Sequence, residues 1–152
     1  MTQHLGFTGT RHGMNVHQRS TVFELLRQHG AAGLVAHHGD CVGADAQFHQ
    51  LCRSLLGADV QIIIHPGPPG DPYRADCIGD LVLTPSQHMK RNLAIVNASS
   101  VMVAGPLEDE PQPRGGTWRT IGMARKALKR GTLRTLYVVG RGGKLLDHTR
   151  WP

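Results

Sequence analysis

The segment Leu34–Cys52, LVAHHGDCVGADAQFHQLC, decides the fold class because a strand-like run leads directly into a helix-like one. Leu34–His38 is short, largely apolar and followed by glycine, which is typical of a buried strand. Beyond the loop, Phe48 and Cys52 lie one helical turn apart, which indicates a helix from Ala44 onward. The sequence therefore predicts a strand, a glycine-containing loop and a helix in immediate succession.

The same unit recurs along the chain. Apolar runs predict five strands: His4–Thr8, Leu34–His38, Val60–His65, Val101–Ala104 and Leu133–Val139. Helical spacing of apolar residues predicts four helices: Val16–His29, Ala44–Leu56, Thr84–Ala98 and Thr117–Arg130. Because strands that alternate with helices indicate βαβ units, we predict an α/β fold of three layers. Helices would cover both faces of a mostly parallel sheet of about five strands.

Length and composition favour one domain spanning residues 1–152. No apolar run approaches the roughly 20 residues that span a membrane. The opening MTQHLGFTGTR lacks the pattern of a secretory signal, so we expect a cytoplasmic protein without a membrane partner. Three cysteines with no CxxC spacing indicate reduced thiols.

The net charge of +6 and the isoelectric point of about 9.8 predict an anionic partner. Aromatic residues make up only 5% of the chain, which disfavours a stacking surface for single-stranded nucleic acid. We therefore favour small phosphorylated ligands over polynucleotides.

The cluster His37, His38, Asp40 and Cys41 lacks the ligand spacing of zinc sites, so we predict neither a metal nor a cofactor.

Ligands of parallel sheets bind where strands lead into helices. The first such loop contains Thr8, Gly9, Thr10 and Arg11, without the glycine fingerprint of dinucleotide sites or the ATPase loop. We predict that it contacts phosphate, and the alternative is a tight turn with a solvated arginine. In the long third loop, His65 is a further candidate ligand residue.

The second loop contains Gly39 and Gly43, which permit close backbone approach to a ligand. Asp40 and Asp45 flank these glycines and could accept hydrogen bonds from ribose hydroxyls. The alternative for one of them is a helix cap. The loop is therefore a candidate for ligand binding and for catalysis.

Thr84, Pro85 and Gln87 match a capping box with proline at the first helical position, which predicts a helix start at Thr84. Arg91 would then lie about two turns into the helix, near the functional edge, where its guanidinium could hold a phosphate. A solvated helix face is the alternative.

The fourth loop ends in Gly115, Gly116 and Thr117, immediately before a helix. Paired glycines bare the backbone N–H groups, and a helix N-terminus favours anions, so these residues predict a phosphate cradle. Trp118 follows them and packs either on a base or in the core.

Five motifs occur in the order TGTR, HGDCVGAD, IIIHPGPP, QHMKRNLAIVNASSVMVAGP and RGGTWRTIGMARK. In this order they resemble the SLOG superfamily, which includes the Lonely Guy cytokinin-activating enzymes, the DNA-processing protein DprA and YspA/YpsA-type nucleotide-binding proteins. The resemblance covers nearly all of residues 5–140 and is closest to small stand-alone members. It implies a Rossmann-like fold and a nucleotide-binding domain.

Lonely Guy enzymes cut the N-glycosidic bond of nucleoside 5′-monophosphates, and they carry an Arg-Lys pair followed by Pro-Gly-Gly-x-Gly-Thr-x-x-Glu. In the resembling pattern, Arg91 matches the arginine and Asn92 replaces the lysine. Gly116 and Thr117 match the second Gly-Thr pair, whereas Thr120 stands where the family has its glutamate. Glycosidic cleavage needs a nearby carboxylate, which threonine does not supply. The pattern therefore retains the binding groups of these enzymes and lacks their usual catalytic group.

Three functions follow from these observations. The first is binding or sensing of a nucleotide or nucleotide-derived phosphorylated ligand at the carboxyl edge of the sheet. The alternative is an N-glycoside hydrolase in which Arg91 acts with a relocated carboxylate, supplied by Asp40, Asp45 or Glu108. The third is DNA binding like that of DprA, which the sparse aromatics disfavour. By analogy with related proteins, we expect a homodimer.

Overall fold

The computed structural model describes residues 2–30 and 33–152. Its strands are β1 (Gln3–Gly9), β2 (Leu34–His38), β3 (Val60–Ile64), β4 (Leu81–Val82), β5 (Val101–Gly105) and β6 (Thr135–Val138). Its α-helices are α1 (Val16–His29), α2 (Ala44–Leu56), α3 (His88–Ala98) and α4 (Gly116–Arg130). The strands form one sheet in the order β4-β3-β2-β1-β5-β6, and the paired strands are parallel.

The helices cover both faces of the sheet, which confirms the α/β, Rossmann-like prediction. On one face, α1 and α2 pack on a core in which the Phe7 and Phe48 rings stack with centroids 4.5 Å apart. On the other face, α3 and α4 bury residues such as Ile95 and Ile121. No helix in residues 2–30 and 33–152 combines the length and apolarity needed to cross a membrane.

The strand order places β1 in the middle of the sheet. The chain proceeds from β1 to β2, β3 and β4 on one side, and then returns to β5 and β6 on the other. The connections that follow β1 and β5 therefore diverge to opposite faces. Such a switch point leaves a crevice at the carboxyl ends of the strands, where open α/β sheets bind ligands.

The sheet has six strands rather than the predicted five. The additional strand, β4, has only two residues, both exposed, so no apolar run distinguishes it in the sequence. It pairs with β3 in parallel, and the Leu83 N–H donates to the Ile64 carbonyl directly after it.

The predicted start of α3 at Thr84 is wrong. The helix begins at His88, after Gln87, and no side chain caps it. Residues before it continue the extended path of β4, and the Ser86 N–H donates to the Pro66 carbonyl at 3.2 Å. The sequence Thr84-Pro85 is itself compatible with a helix cap, so the backbone pairing of Leu83 and Ser86, rather than the local sequence, keeps this segment extended. Arg91 consequently lies about one turn from the helix start.

Candidate functional site

A cavity of about 570 Å³ opens at the carboxyl ends of β1 and β2 and beside the loop that follows β5. This volume lies within the range of about 300–1,000 Å³ that is usual for small-molecule sites. Predicted site residues that line it are Thr8, Gly9, Thr10, Arg11, Gly39, Asp45, Arg91, Asn92, Glu108, Gly115, Gly116 and Thr117. Residues from four separate loops or helix starts thus converge on one cavity.

Three predicted site residues, Asp40, Gly43 and His65, lie outside the cavity lining. Asp40 is fully buried and holds the long loop through bonds to Arg74 and Cys77. Gly43 has a φ of 86°, and a Cβ on it would lie 2.3 Å from the Arg11 carbonyl oxygen, so it serves close packing of two loops. His65 is buried, and its ring bonds to another histidine.

The N-terminus of α4 borders the cavity and is open. In the described residues, the backbone N–H groups of Gly116, Thr117 and Trp118 donate no hydrogen bond. The N-cap, Gly115, has a φ of 105°, no side chain caps the helix, and its first turn contains no acidic residue. A helix N-terminus with free N–H groups attracts anions. These N–H groups make the predicted phosphate cradle available to a ligand.

Basic and amide side chains surround this cradle. Arg114 and Arg119 flank the glycines and line the cavity, and both are exposed. Asn92 approaches from α3, with its Nδ2 atom 3.7 Å from the position that a Cβ on Gly116 would occupy. A phosphate bound at the α4 N-terminus would therefore meet helix N–H groups, an amide donor and positive charge.

Arg91 is buried and its guanidinium is already hydrogen-bonded throughout. Its Nη1 atom donates to the carbonyl oxygens of Gly39 at 2.7 Å and His65 at 3.1 Å. Nε donates to Asn92 Oδ1 at 2.6 Å, whereas Nη2 lies 3.1 Å from His88 Nδ1 and 3.7 Å from the Cys41 sulfur. Arg91 therefore positions α3 against the ends of β2 and β3, and it supplies positive charge rather than a free fork for phosphate.

Three carboxylates line the cavity: Asp45, Asp71 and Glu108. Glu108 accepts the indole N–H of Trp118 at 3.2 Å, and Asp71 accepts the backbone N–H of Tyr73 at 3.0 Å. Asp45 Oδ2 accepts the Cys41 N–H at 3.1 Å, and in the described residues its other oxygen forms no hydrogen bond. Burial raises the pKa of the Asp45 carboxyl to about 6, so this group can exchange a proton near neutral pH.

Thr120 does not reach the cavity. It is fully buried, and its hydroxyl donates to the Gly116 carbonyl at 2.7 Å within α4. The position that resembles the catalytic glutamate of Lonely Guy enzymes therefore serves the helix in this chain.

The first loop is folded tightly around Thr10. The Thr10 carbonyl accepts the N–H groups of Gly13 at 3.1 Å and Ala44 at 3.0 Å, so it joins this turn to the start of α2. Arg11 extends beyond the turn, where its guanidinium carbon lies 3.9 Å from the centroid of the Tyr73 ring. Both side chains line the cavity.

Sequence reasoning missed several lining residues on α3 and in the long loop. His88 and Ile95 line the cavity together with Arg91 and Asn92. These four positions follow helical periodicity, so the sequence contained a signal for one helix face that faces the site. Asp71 had no such signal because it lies in an irregular loop.

Histidines form chains behind the site rather than a metal centre. His37 lies between His4 and His65, with a 2.9 Å nitrogen–nitrogen distance on each side. His38 forms a separate pair with His49, with 2.9 Å between their ring nitrogens. Burial lowers the pKa of His37 and His38 to about 3 and that of His65 to about 4. Among residues 2–30 and 33–152, no group of three or more potential ligands could hold a metal ion.

No protein-family model matches the sequence, and no curated protein matches it. The fold is similar to a molybdenum cofactor binding protein from the phototrophic bacterium Rippkaea orientalis, with a TM-score of 0.66, 16% identity, and coverage of 92% of this chain and 77% of that one. It is also similar to the molybdenum cofactor carrier protein of Chlamydomonas reinhardtii, with a TM-score of 0.60, 17% identity, and coverage of 92% and 78%.

A third similar structure is the structural genomics target TM1055, with a TM-score of 0.56 and 20% identity over 98% of this chain and 88% of that one. At these identities the likeness shows the fold alone. The Rossmann-like fold is thus confirmed, whereas membership of the SLOG superfamily, a nucleotide ligand and a homodimer stay predictions.

Proposed function

We propose that the protein binds a phosphorylated small molecule, a nucleotide or a nucleotide-derived compound, as a binding or sensing protein. The observation that carries this proposal is the open N-terminus of α4. The N–H groups of Gly116, Thr117 and Trp118 are unbonded within the described residues and border the cavity. The first N–H groups of a helix have no intrahelical partner, and an anion bound at the helix N-terminus satisfies them.

The surrounding charge supports the same proposal. Arg11, Arg91, Arg114 and Arg119 line the cavity, against three carboxylates. Two of the three similar structures are described as binding or carrying a molybdenum cofactor, which supports a small-molecule role for this cavity.

The proposal is tested with the variant Gly116→Asp. The side chain has room there, since the nearest atom to a Cβ is 3.7 Å away, and the new carboxylate occupies the anion position with its own charge. Thermal unfolding is followed with inorganic phosphate, ribose 5-phosphate, AMP and adenosine. We expect the phosphorylated compounds to stabilise the wild-type protein, adenosine to do so less, and Gly116→Asp to lose the effect.

The matched control is Gly122→Ala in the same helix. A Cβ on Gly122 meets no atom within 4 Å, and this residue is not part of the cavity lining. The control should keep ligand-induced stabilisation. Equal stabilisation by adenosine and AMP, or an undiminished response in Gly116→Asp, would contradict the proposal.

Asp45 favours a second candidate function, cleavage of an N-glycosidic bond. Its carboxyl lines the cavity, and a pKa of about 6 suits a group that gives or takes a proton near neutral pH. Release of free base from a panel of nucleoside monophosphates tests this candidate. Turnover that disappears in Asp45→Asn, while AMP still stabilises that variant, would favour the hydrolase; binding without base release would favour the binding protein.

A further inference from the structure

We propose that Tyr73 and Arg11 form a platform on which a planar heterocycle of the bound ligand stacks. This inference rests on the proposed function and extends it, since it assigns the part of the ligand beyond the phosphate. The chemical class is a fused nitrogen heterocycle that carries a phosphate monoester.

Exposure distinguishes Tyr73 from the other large aromatic side chains in the cavity lining, which are Phe7 and Trp118. Phe7 is fully buried and stacks on Phe48 in the core. Trp118 is 7% exposed and packs edge-on against Trp151. Tyr73 is 45% exposed, so its ring has surface available for a ligand. The aromatic contact that the sequence suggested for Trp118 is therefore better supplied by Tyr73.

Arg11 stacks over one face of this ring. Its guanidinium lies 3.9 Å from the ring centroid, and in the described residues it forms no ion pair and donates no hydrogen bond. Because only stacking holds this planar cation, it can leave the Tyr73 ring to a heterocycle, or it can stack on a heterocycle with its own free face. The pair thus combines a π surface with an unneutralised positive charge.

The backbone holds both residues in place. The Tyr73 carbonyl accepts the Val42 N–H at 2.8 Å, and the next residue, Arg74, is bonded to the buried carboxylate of Asp40 at 3.1 Å. The Arg11 carbonyl packs against Gly43, where a Cβ would approach it to 2.3 Å. A platform that is fixed before the ligand arrives loses little conformational entropy on binding.

The platform and the phosphate cradle belong to different strand ends. Tyr73 bonds to the loop after β2, whereas the cradle follows β5, and β1 lies between these strands. A ligand that uses both must extend across the crevice. A phosphate joined to a heterocycle through a sugar or a short chain has this shape, and inorganic phosphate or a sugar phosphate alone does not.

Calorimetric titration with three probes tests the inference: ribose 5-phosphate, AMP and neopterin monophosphate. We expect a ring-bearing probe to bind wild-type protein about 5- to 150-fold more tightly than ribose 5-phosphate, which is the usual range for stacking on an aromatic side chain. Tyr73→Ala should bring this ratio close to one, and Tyr73→Phe should keep it. Comparison of the affinity ratios for AMP and for neopterin monophosphate shows whether the site prefers a purine or a pterin ring.

The control is Ile78→Ala in the same loop, because Ile78 is 85% exposed and lies outside the cavity lining. It should keep the wild-type ratio. Equal affinities for ribose 5-phosphate and both ring-bearing probes, or an unchanged ratio in Tyr73→Ala, would overturn the platform and leave the phosphate cradle in place. Failure of all three probes to bind would overturn the platform and the proposed function together.

Discussion

The loops that precede α2 and α4 look alike in sequence and differ in structure. Each contains two glycines and leads from a strand into a helix at the same edge of the sheet. Before α2, the Asp40 and Asp45 carboxylates and the Gly39 carbonyl are all bonded to other parts of the protein. The first N–H of α2, that of Ala44, donates to the Thr10 carbonyl, whereas in the described residues the N–H groups of Gly116, Thr117 and Trp118 at the start of α4 have no partner. Glycine content alone therefore does not distinguish a structural loop from a binding loop.

The first and largest test of this difference is Asp40→Ala. Asp40 is fully buried, accepts the Cys77 N–H at 2.9 Å and pairs with Arg74 at 3.1 Å. Its removal breaks two bonds to a buried carboxylate, leaves the Cys77 N–H without its acceptor and leaves Arg74 with only Asp76 at 3.4 Å, so we expect the free energy of unfolding to fall by about 3–5 kcal/mol. Urea unfolding measures this change. A loss below about 1 kcal/mol would show that the bonds of the loop between β2 and α2 contribute little to the stability of the fold.

The second test is Asp45→Asn. Because its pKa is raised to about 6 in the folded protein against 3.8 in the unfolded chain, ionised Asp45 opposes folding above pH 6 and ceases to do so below about pH 4. We expect Asp45→Asn to be more stable than the wild type at pH 8 by up to about 3 kcal/mol, and equally stable at pH 4. A stability difference that does not change between these pH values would contradict the raised pKa.

The third test compares matched glycines in the two loops. A Cβ on Gly39 would lie 2.7 Å from Arg91 Nη1, whereas one on Gly116 would meet nothing closer than 3.7 Å. We expect Gly39→Ala to lower the free energy of unfolding by about 1–3 kcal/mol. Gly116→Ala should not lower it, since alanine favours helix over glycine. Equal destabilisation by both changes would remove the distinction between the loops.

The fourth test, with the smallest expected effect, measures how stability depends on pH. It concerns the β2 side of the comparison, because His37 and His38 of β2 have lowered pKa values. Burial lowers the pKa of His37 to about 3, so the unfolded chain binds a proton that the folded protein excludes as the pH falls below 6.5. We expect each such histidine to lower stability by about 1.4 kcal/mol per pH unit in this window. Asp45 has the opposite effect: its raised pKa makes the free energy of unfolding rise as the pH falls from 6 to 3.8.

The variant His37→Asn isolates this effect. Its free energy of unfolding, measured by urea titration at pH 7, 6 and 5, should fall less steeply than that of the wild-type protein. His4 and His65 flank His37, Arg91 bonds to the His65 carbonyl, and these three residues remain in both proteins. Identical slopes would show that His37 does not exclude its proton in the folded state.

The helices α1 and α2 agree with the sequence prediction to the residue, because their apolar spacing and flanking glycines are local signals. The two-residue strand β4 has no such signal, and it exists because β3 offers a partner. Likewise, Thr84, Pro85 and Gln87 satisfy a local capping rule, but the pairing after β4 keeps this segment extended. Local patterns predict an element reliably only where no distant partner competes for its backbone.

The candidate site shows the same limit. Gly115, Gly116 and Thr117 were predicted as a cradle and line the cavity, whereas Asp40 and His65 were predicted beside them and do not. Both residues follow the same strand-to-helix logic in sequence. Their hydrogen-bond partners, Arg74 for Asp40 and Arg91 for the His65 carbonyl, lie far along the chain and have no sequence signature.

The sequence by itself determined the alternation of strands and helices, and hence that the polar loops gather at one edge of a parallel sheet. It could do so because hydrophobic periodicity and turn residues act over a few positions. The tertiary structure alone decided which of these loops remains open. That outcome depends on partners 34 positions apart, as in Asp40 and Arg74, or 52 apart, as in Gly39 and Arg91. A loop whose polar groups find such partners stabilises the fold, and a loop whose N–H groups find none can bind a ligand.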